Sequence, residues 1–178
     1  MFNKILVLVD GQPASMQAIR QGVEVARCNS SEILFFHLLP NFNNLPDQTY
    51  EVVVPRSMNY EREIRADASA LLRKASSVAD AAGVPSVRSM GSGGSRSEAT
   101  CIADVAEKRG CQLIVVGTAS RNALVRLMGS SIVPGLISSA KVPVLVCQAK
   151  TFAAKSSRRT RVRKQANHKI EAHEKGGK

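Results

Sequence analysis

LIVVGTASRNALVRLMGSSIVPGLISSAKVPVLVC, residues 113–147, decides the fold. Four apolar residues, 113–116, read as a buried strand that stops at Gly117. A polar loop follows, then Gly129, Ser130 and Ser131 at the opening of a short helix, then a second apolar strand from Val142 to Val146. This is one β-loop-α-β unit, and strands joined through a helix run parallel. A strand ending at a glycine lets the backbone come close to a partner, and small residues at a helix start leave its unpaired N–H groups reachable. Together they could cradle a phosphate. The same residues would also serve a tight strand-to-helix connection, so this stretch alone leaves the two readings open.

Working upstream, the segment 5–9 (Ile-Leu-Val-Leu-Val) is continuously apolar, which argues burial on both faces of a parallel sheet. It ends at Asp10-Gly11. A carboxylate at the carboxyl end of such a strand sits where open α/β sheets bind ligands. It would be equally at home in an Asx-turn before a helix with Pro13 in its first turn. Ala14, Ala18, Gly22, Val25 and Ala26 share a helical face, and a second apolar run, 33–39, carries His37, expected to be a hydrogen-bonded core residue. After an irregular connection over 40–59, Ile64, Ala68, Leu71, Leu72, Ala75, Val78, Ala79 and Ala82 recur at helical spacing up to Gly83. A short strand over about 84–90, a flexible Gly-Ser-rich connection at 91–97 and a helix over 97–109 complete a β-α-β-α-β-α-β-α-β order. Right-handed crossovers then give a doubly wound α/β fold: a five-stranded parallel sheet of order 3-2-1-4-5 with helices on both faces. In that order Asp10 and the loop after Gly117 emerge together at the switch point.

With 178 residues, the chain is long enough for one domain of ordinary size. Five Phe and two Tyr leave the core to aliphatic side chains. Cys28, Cys101, Cys111 and Cys147 form no C-x-x-C pair and have no His at ligand spacing, so no metal site is indicated and all four are expected as buried, reduced thiols in a cytoplasmic protein. The longest N-terminal apolar run is too short for a signal peptide or a membrane span. The net charge of +11 is uneven. Residues 1–148 hold 15 basic and 12 acidic side chains, and residues 149–178 hold 10 and two. The expectation is a near-neutral domain followed by a basic, disordered tail.

The opening KILVLVDG-x-x-AS, the strand ending near His37, and LIVVG followed by a Gly-Ser and then VPVLV resemble the universal stress protein family over about residues 1–148. The resemblance implies an adenine-nucleotide alpha-hydrolase-like fold and a stress-response or signalling role. In nucleotide-binding members, a G-x-x-G-x9-G-[S/T] pattern holds ATP, with Mg²⁺ if bound. The Asp after the first strand and a residue after the His of the second hold the nucleoside. Carried onto this chain, the nucleotide-binding positions are Val9, Asp10, Leu38, Val116, Gly117, Ser120, Gly129, Ser130 and Ser131. Ser120 stands where the pattern has its second glycine, and eight residues instead of nine separate it from Gly129. Pro134 also removes one N–H from the first turn of the helix. The family has a branch that does not bind ATP and lacks that glycine too. The alternative reading is therefore an interaction module, dimeric, without a nucleotide.

No Ser-His-Asp set, metal cluster or carboxylate pair converges on the loop, so catalysis is expected to be absent or limited to slow ATP hydrolysis. The last strand is apolar on both faces and lies at the sheet edge, which predicts a homodimer through Val142 to Val146. Residues 155–164 hold six basic side chains and no acid. Arg158, Arg159, Arg161, Arg163 and Lys164 are the candidate contacts for nucleic acid or another polyanion. With no aromatic residue after Phe152, such binding would be electrostatic and blind to base sequence. The tail has almost no apolar face, so membrane insertion is not expected.

Overall fold

A computed structural model of the chain describes residues 1–40, 58–94, 96–118 and 132–149. Its strands are β1 (Lys4–Leu8), β2 (Glu32–Leu39), β3 (Ser86–Ser92), β4 (Leu113–Thr118) and β5 (Val144–Gln148). Its helices are α1 (Pro13–Asn29), α2 (Met58–Ala81), α3 (Glu98–Lys108) and α4 (Ile132–Ser139). All pairings are parallel, and the sheet order is β3-β2-β1-β4-β5, the doubly wound arrangement anticipated from the sequence.

The continuously apolar strands divide their side chains between two cores because successive residues point to opposite faces. Ile5, Val7 and Val9 of the first strand segment join Ile33, Phe35 and Val115 under α1 and α2. Leu6, Leu8, Leu34, Phe36, Ile114 and Val116 pack on the other face, under α3 and α4. The helices meet the sheet through small residues, as a chain poor in aromatics requires. A Cβ on Gly22 of α1 would come within 2.6 Å of Val7 Cγ2, and one on Gly135 of α4 within 2.7 Å of Ala99 Cβ on α3. These approaches set helix against strand, and helix against helix, with no room for one added methyl group.

Three expectations are corrected. Cys28, the next-to-last residue of α1, is exposed, while Cys101, Cys111 and Cys147 are buried. The last strand begins at Val144, two residues late. Pro143 has no N–H for the ladder, and its carbonyl instead accepts from Ile114 N–H at 3.0 Å before the regular rungs start. Gly91 and Ser92, expected in a flexible connection, belong to β3, where a Cβ on Gly91 would lie 3.3 Å from the Phe36 ring. The connection itself is the Gly93-Gly94 turn, and α3 is capped by Ser97, whose Oγ accepts from Thr100 N–H.

Candidate functional site

β2 runs three residues past the last rung it shares with β1, since the pairing stops at Leu8↔Phe36. The overhang leaves an opening at the carboxyl end of the sheet between β1 and β4, where the strand order turns from β2 to β4. A cleft of about 440 Å³ fills it. Leu8, Val9, Asp10 and Gln12 line it from the end of β1, His37 and Leu38 from the overhang, and Val116, Gly117 and Thr118 from β4. Glu98 from the start of α3 and Ile132 and Val133 from the start of α4 close the far side.

Local hydrogen bonds hold the β1 end in place. Val9 N–H donates to the Phe36 carbonyl at 2.8 Å, so Phe36 faces β1. By alternation Leu38 faces the same way, beyond the point where β1 has turned aside. The Val9 carbonyl lies 2.6 Å from His37 Nδ1. A carbonyl only accepts, so Nδ1 carries the proton and Nε2 of the neutral ring is an acceptor. The buried Ser15 hydroxyl accepts from Asp10 N–H at 3.2 Å and lies 3.4 Å from the Leu8 carbonyl, linking the first turn of α1 to the strand end. Asp10 Oδ1 accepts from Gln12 N–H at 2.8 Å, the Asx-turn weighed above, which orients the carboxylate while leaving it exposed at the cleft.

Gly117 differs from the sequence expectation in what approaches it. Its Cβ position is filled by α1: 2.4 Å from the carbonyl carbon and oxygen of Ala14 and 2.7 Å from Ser15 N. The close approach is to the first turn of α1, so this glycine is required by packing whether or not a phosphate binds nearby.

Of the residues singled out from sequence, Val9, Asp10, Leu38, Val116 and Gly117 come together on this cleft. Ser120, Gly129, Ser130 and Ser131 lie outside the described residues, as do Arg158, Arg159, Arg161, Arg163 and Lys164 of the tail. His37, expected in the core, is half-buried in the cleft wall. Leu8, Gln12, Glu98, Thr118, Ile132 and Val133 had not been singled out. For His37 a signal was present in the greater length of its apolar run relative to the first, which places its end beyond the neighbouring strand. For Glu98 there was none, because only tertiary packing brings the start of α3 to the cleft. Among the described residues no cluster of His, Cys, Asp or Glu could hold a metal ion, and no helix is long and apolar enough to cross a membrane.

Residues 1–148 match the model of the universal stress protein family. The chain belongs to that family. It is similar to a curated universal stress protein of Methanocaldococcus jannaschii, 26% identical over 149 residues, covering 82% of each chain. Among solved structures, a universal stress protein from Archaeoglobus fulgidus in complex with dAMP is 21% identical with a TM-score of 0.59, covering 81% of this chain and 96% of its own. A family protein from Arabidopsis thaliana with AMP bound is 17% identical with a TM-score of 0.62, covering 87% and 97%. At these identities the structural likeness establishes the fold shared across the family.

Proposed function

We propose that this universal stress protein binds an adenine nucleotide, ATP with Mg²⁺, in the cleft at the carboxyl end of β1 and acts in stress-response signalling as a binding protein with at most slow hydrolysis. The observation that carries the reading is the convergence of Val9, Asp10, Leu38, Val116 and Gly117 on one cleft of about 440 Å³ at the switch point. The apolar side chains of Leu8, Val116, Ile132 and Val133 suit an adenine ring, and the oriented Asp10 carboxylate suits donation by ribose hydroxyls. The dAMP and AMP complexes of its fold relatives support the same ligand class.

A second reading is favoured by Ser120 and the eight-residue spacing to Gly129: an interaction module that dispenses with nucleotide. Equilibrium dialysis of the full chain against ATP, ADP and AMP, with and without Mg²⁺, separates the two. Binding is expected, and Asp10→Ala should weaken it by about tenfold to a hundredfold, the worth of hydrogen bonds to a charged group. No uptake at millimolar nucleotide would leave the interaction module standing.

We further propose a homodimer through the edge strand β5, where the apolar Leu145 is 37% exposed, and electrostatic binding of nucleic acid by the basic tail. Four free thiols suit the reducing cytoplasm.

A further inference from the structure

The opposite sheet edge, β3, carries a second site. Ile33 N–H donates to the Pro85 carbonyl at 2.9 Å. Bonding alternates along a parallel strand, so Val87 and Ser89 also turn their backbone groups to β2, while Arg88 and Met90 turn theirs outward. Among the described residues no strand pairs with this edge, and Val87 is 42% exposed and Arg88 is exposed. Beside it, a groove of about 340 Å³ runs between β3 and α2, with Leu72 and Met90 among its apolar lining and Arg73 and Arg88 as its charged side chains. The α2 wall is anchored by a contact of 3.1 Å between the Ser76 and Ser86 hydroxyls.

Arg73 and Arg88 are the cations that line this groove. Lys4, Arg27, Arg65, Arg96 and Lys141 each meet a carboxylate. Among the described residues, Arg73 bonds the neutral Ser69 hydroxyl at 2.8 Å, and neither Arg73 nor Arg88 joins an ion pair. Two guanidiniums outside any ion pair among the described residues, beside backbone groups of Arg88 and Met90 that face away from β2, form a surface complementary to an extended chain bearing carboxylates.

We propose that an acidic, extended peptide segment of a partner protein docks along β3 as a sixth strand, with its carboxylates held by Arg73 and Arg88 and its apolar side chains over Leu72 and Met90. The charge on this edge also sets selectivity. A second copy of β3 would set Arg88 against Arg88, whereas an acidic segment would relieve the repulsion.

The test is fluorescence anisotropy of a labelled heptapeptide, Glu-Thr-Val-Thr-Glu-Thr-Val, whose glutamates and valines share one face of an extended strand, with the full chain at physiological salt. Arg73→Gln with Arg88→Gln should weaken binding at least about tenfold, and Arg20→Gln on the exposed side of α1 should leave it unchanged. The same peptide with alternate backbone nitrogens methylated keeps its charges but cannot pair on that edge, and it should also bind about tenfold more weakly. Equal binding by the double variant would overturn the site, because the basic tail is common to every protein in the series. Equal binding by the methylated peptide would overturn strand addition.

Discussion

Replacing Gly117 by alanine tests whether this glycine is held by the fold rather than by a ligand. The new methyl carbon would stand 2.4 Å from two backbone atoms of Ala14 and 2.7 Å from Ser15 N, against the 3.4 Å at which ordinary contact begins. These are main-chain atoms of the first turn of α1, so no rotamer change relieves the clash, and β4 and α1 must separate by about 1 Å. Overpacking in cores costs about 1–3 kcal/mol where side chains can give, and a contact with fixed backbone belongs at or above the top of that range. For a domain whose total stability is on the order of 5–15 kcal/mol, a loss of about 3 kcal/mol is large. Two controls calibrate it. Gly22→Ala meets a Val7 methyl at 2.6 Å, where a side chain can shift, and should cost less. Gly83→Ala has open space around it but a φ of +68°, so its cost of about 1 kcal/mol comes from backbone strain alone. The chain has no Trp, so urea denaturation followed by far-ultraviolet circular dichroism is the assay. A Gly117→Ala midpoint no lower than that of Gly83→Ala would refute the reasoning and return Gly117 to a purely ligand-facing role.

At the β5 edge, the proposed dimer should appear as twice the chain mass in sedimentation equilibrium and fall to the monomer mass in Leu145→Lys with circular dichroism preserved; a monomer mass for the unaltered chain would remove the dimer, and an unchanged dimer mass in the variant would remove this interface. Burial pushes the Cys111 thiol up from its ordinary 9.0 to about 11. The folded state therefore keeps a proton that the unfolded chain has lost, and this contribution is fully present below pH 9.0 and disappears as pH rises toward about 11. Cys101 and Cys147 are raised by burial in the same direction, so urea midpoints should fall through that window and fall less in Cys111→Ala. In filter binding, the full chain should retain unrelated nucleic acids alike and lose them steeply as salt increases, whereas a chain ending at Ala149 should not retain them; equal retention by both would remove the tail from consideration.

What could be read from the sequence was whatever depends on neighbours along the chain. Runs such as 5–9 and 33–39 announce strands buried on both faces, and this property, with one helix between each pair, is enough to announce a doubly wound parallel sheet. What failed depended on partners distant in sequence. Apolar pattern continues through Val142, but a strand begins only where N–H groups find a ladder, and Pro143 delays that point to Val144. Cys28 looks like a core residue by type, yet its place at the end of α1 turns it to solvent. Asp10 and Gly117 were found because a strand's carboxyl end can be read from its pattern, whereas Val9, Leu38 and Val116 came from the family resemblance. Glu98, Ile132 and Val133 were not found, because they reach the cleft from helix starts whose positions are set by packing of α3 on α4.

The charge layout of the cleft gives any nucleotide a direction. Its described wall holds two carboxylates, Asp10 and Glu98, and no Lys or Arg. Phosphates set against that wall would be repelled, whereas ribose hydroxyls can donate to it. The proposed ligand would therefore set its nucleoside against Asp10 at the end of β1 and turn its phosphates away from the two carboxylates. This orientation divides the affinity into two parts that a phosphate series resolves. Asp10 contributes to AMP, ADP and ATP alike, so Asp10→Ala should lower all three by a similar factor. By the family pattern, the segment from Ser120 to Ser131 would contribute more with each added phosphate. If the short spacing and Ser120 have abolished its cradle, affinity will not rise from AMP to ATP, and the site is one for a nucleoside monophosphate. A rise along the series would mean instead that a serine hydroxyl serves where the family pattern has a glycine.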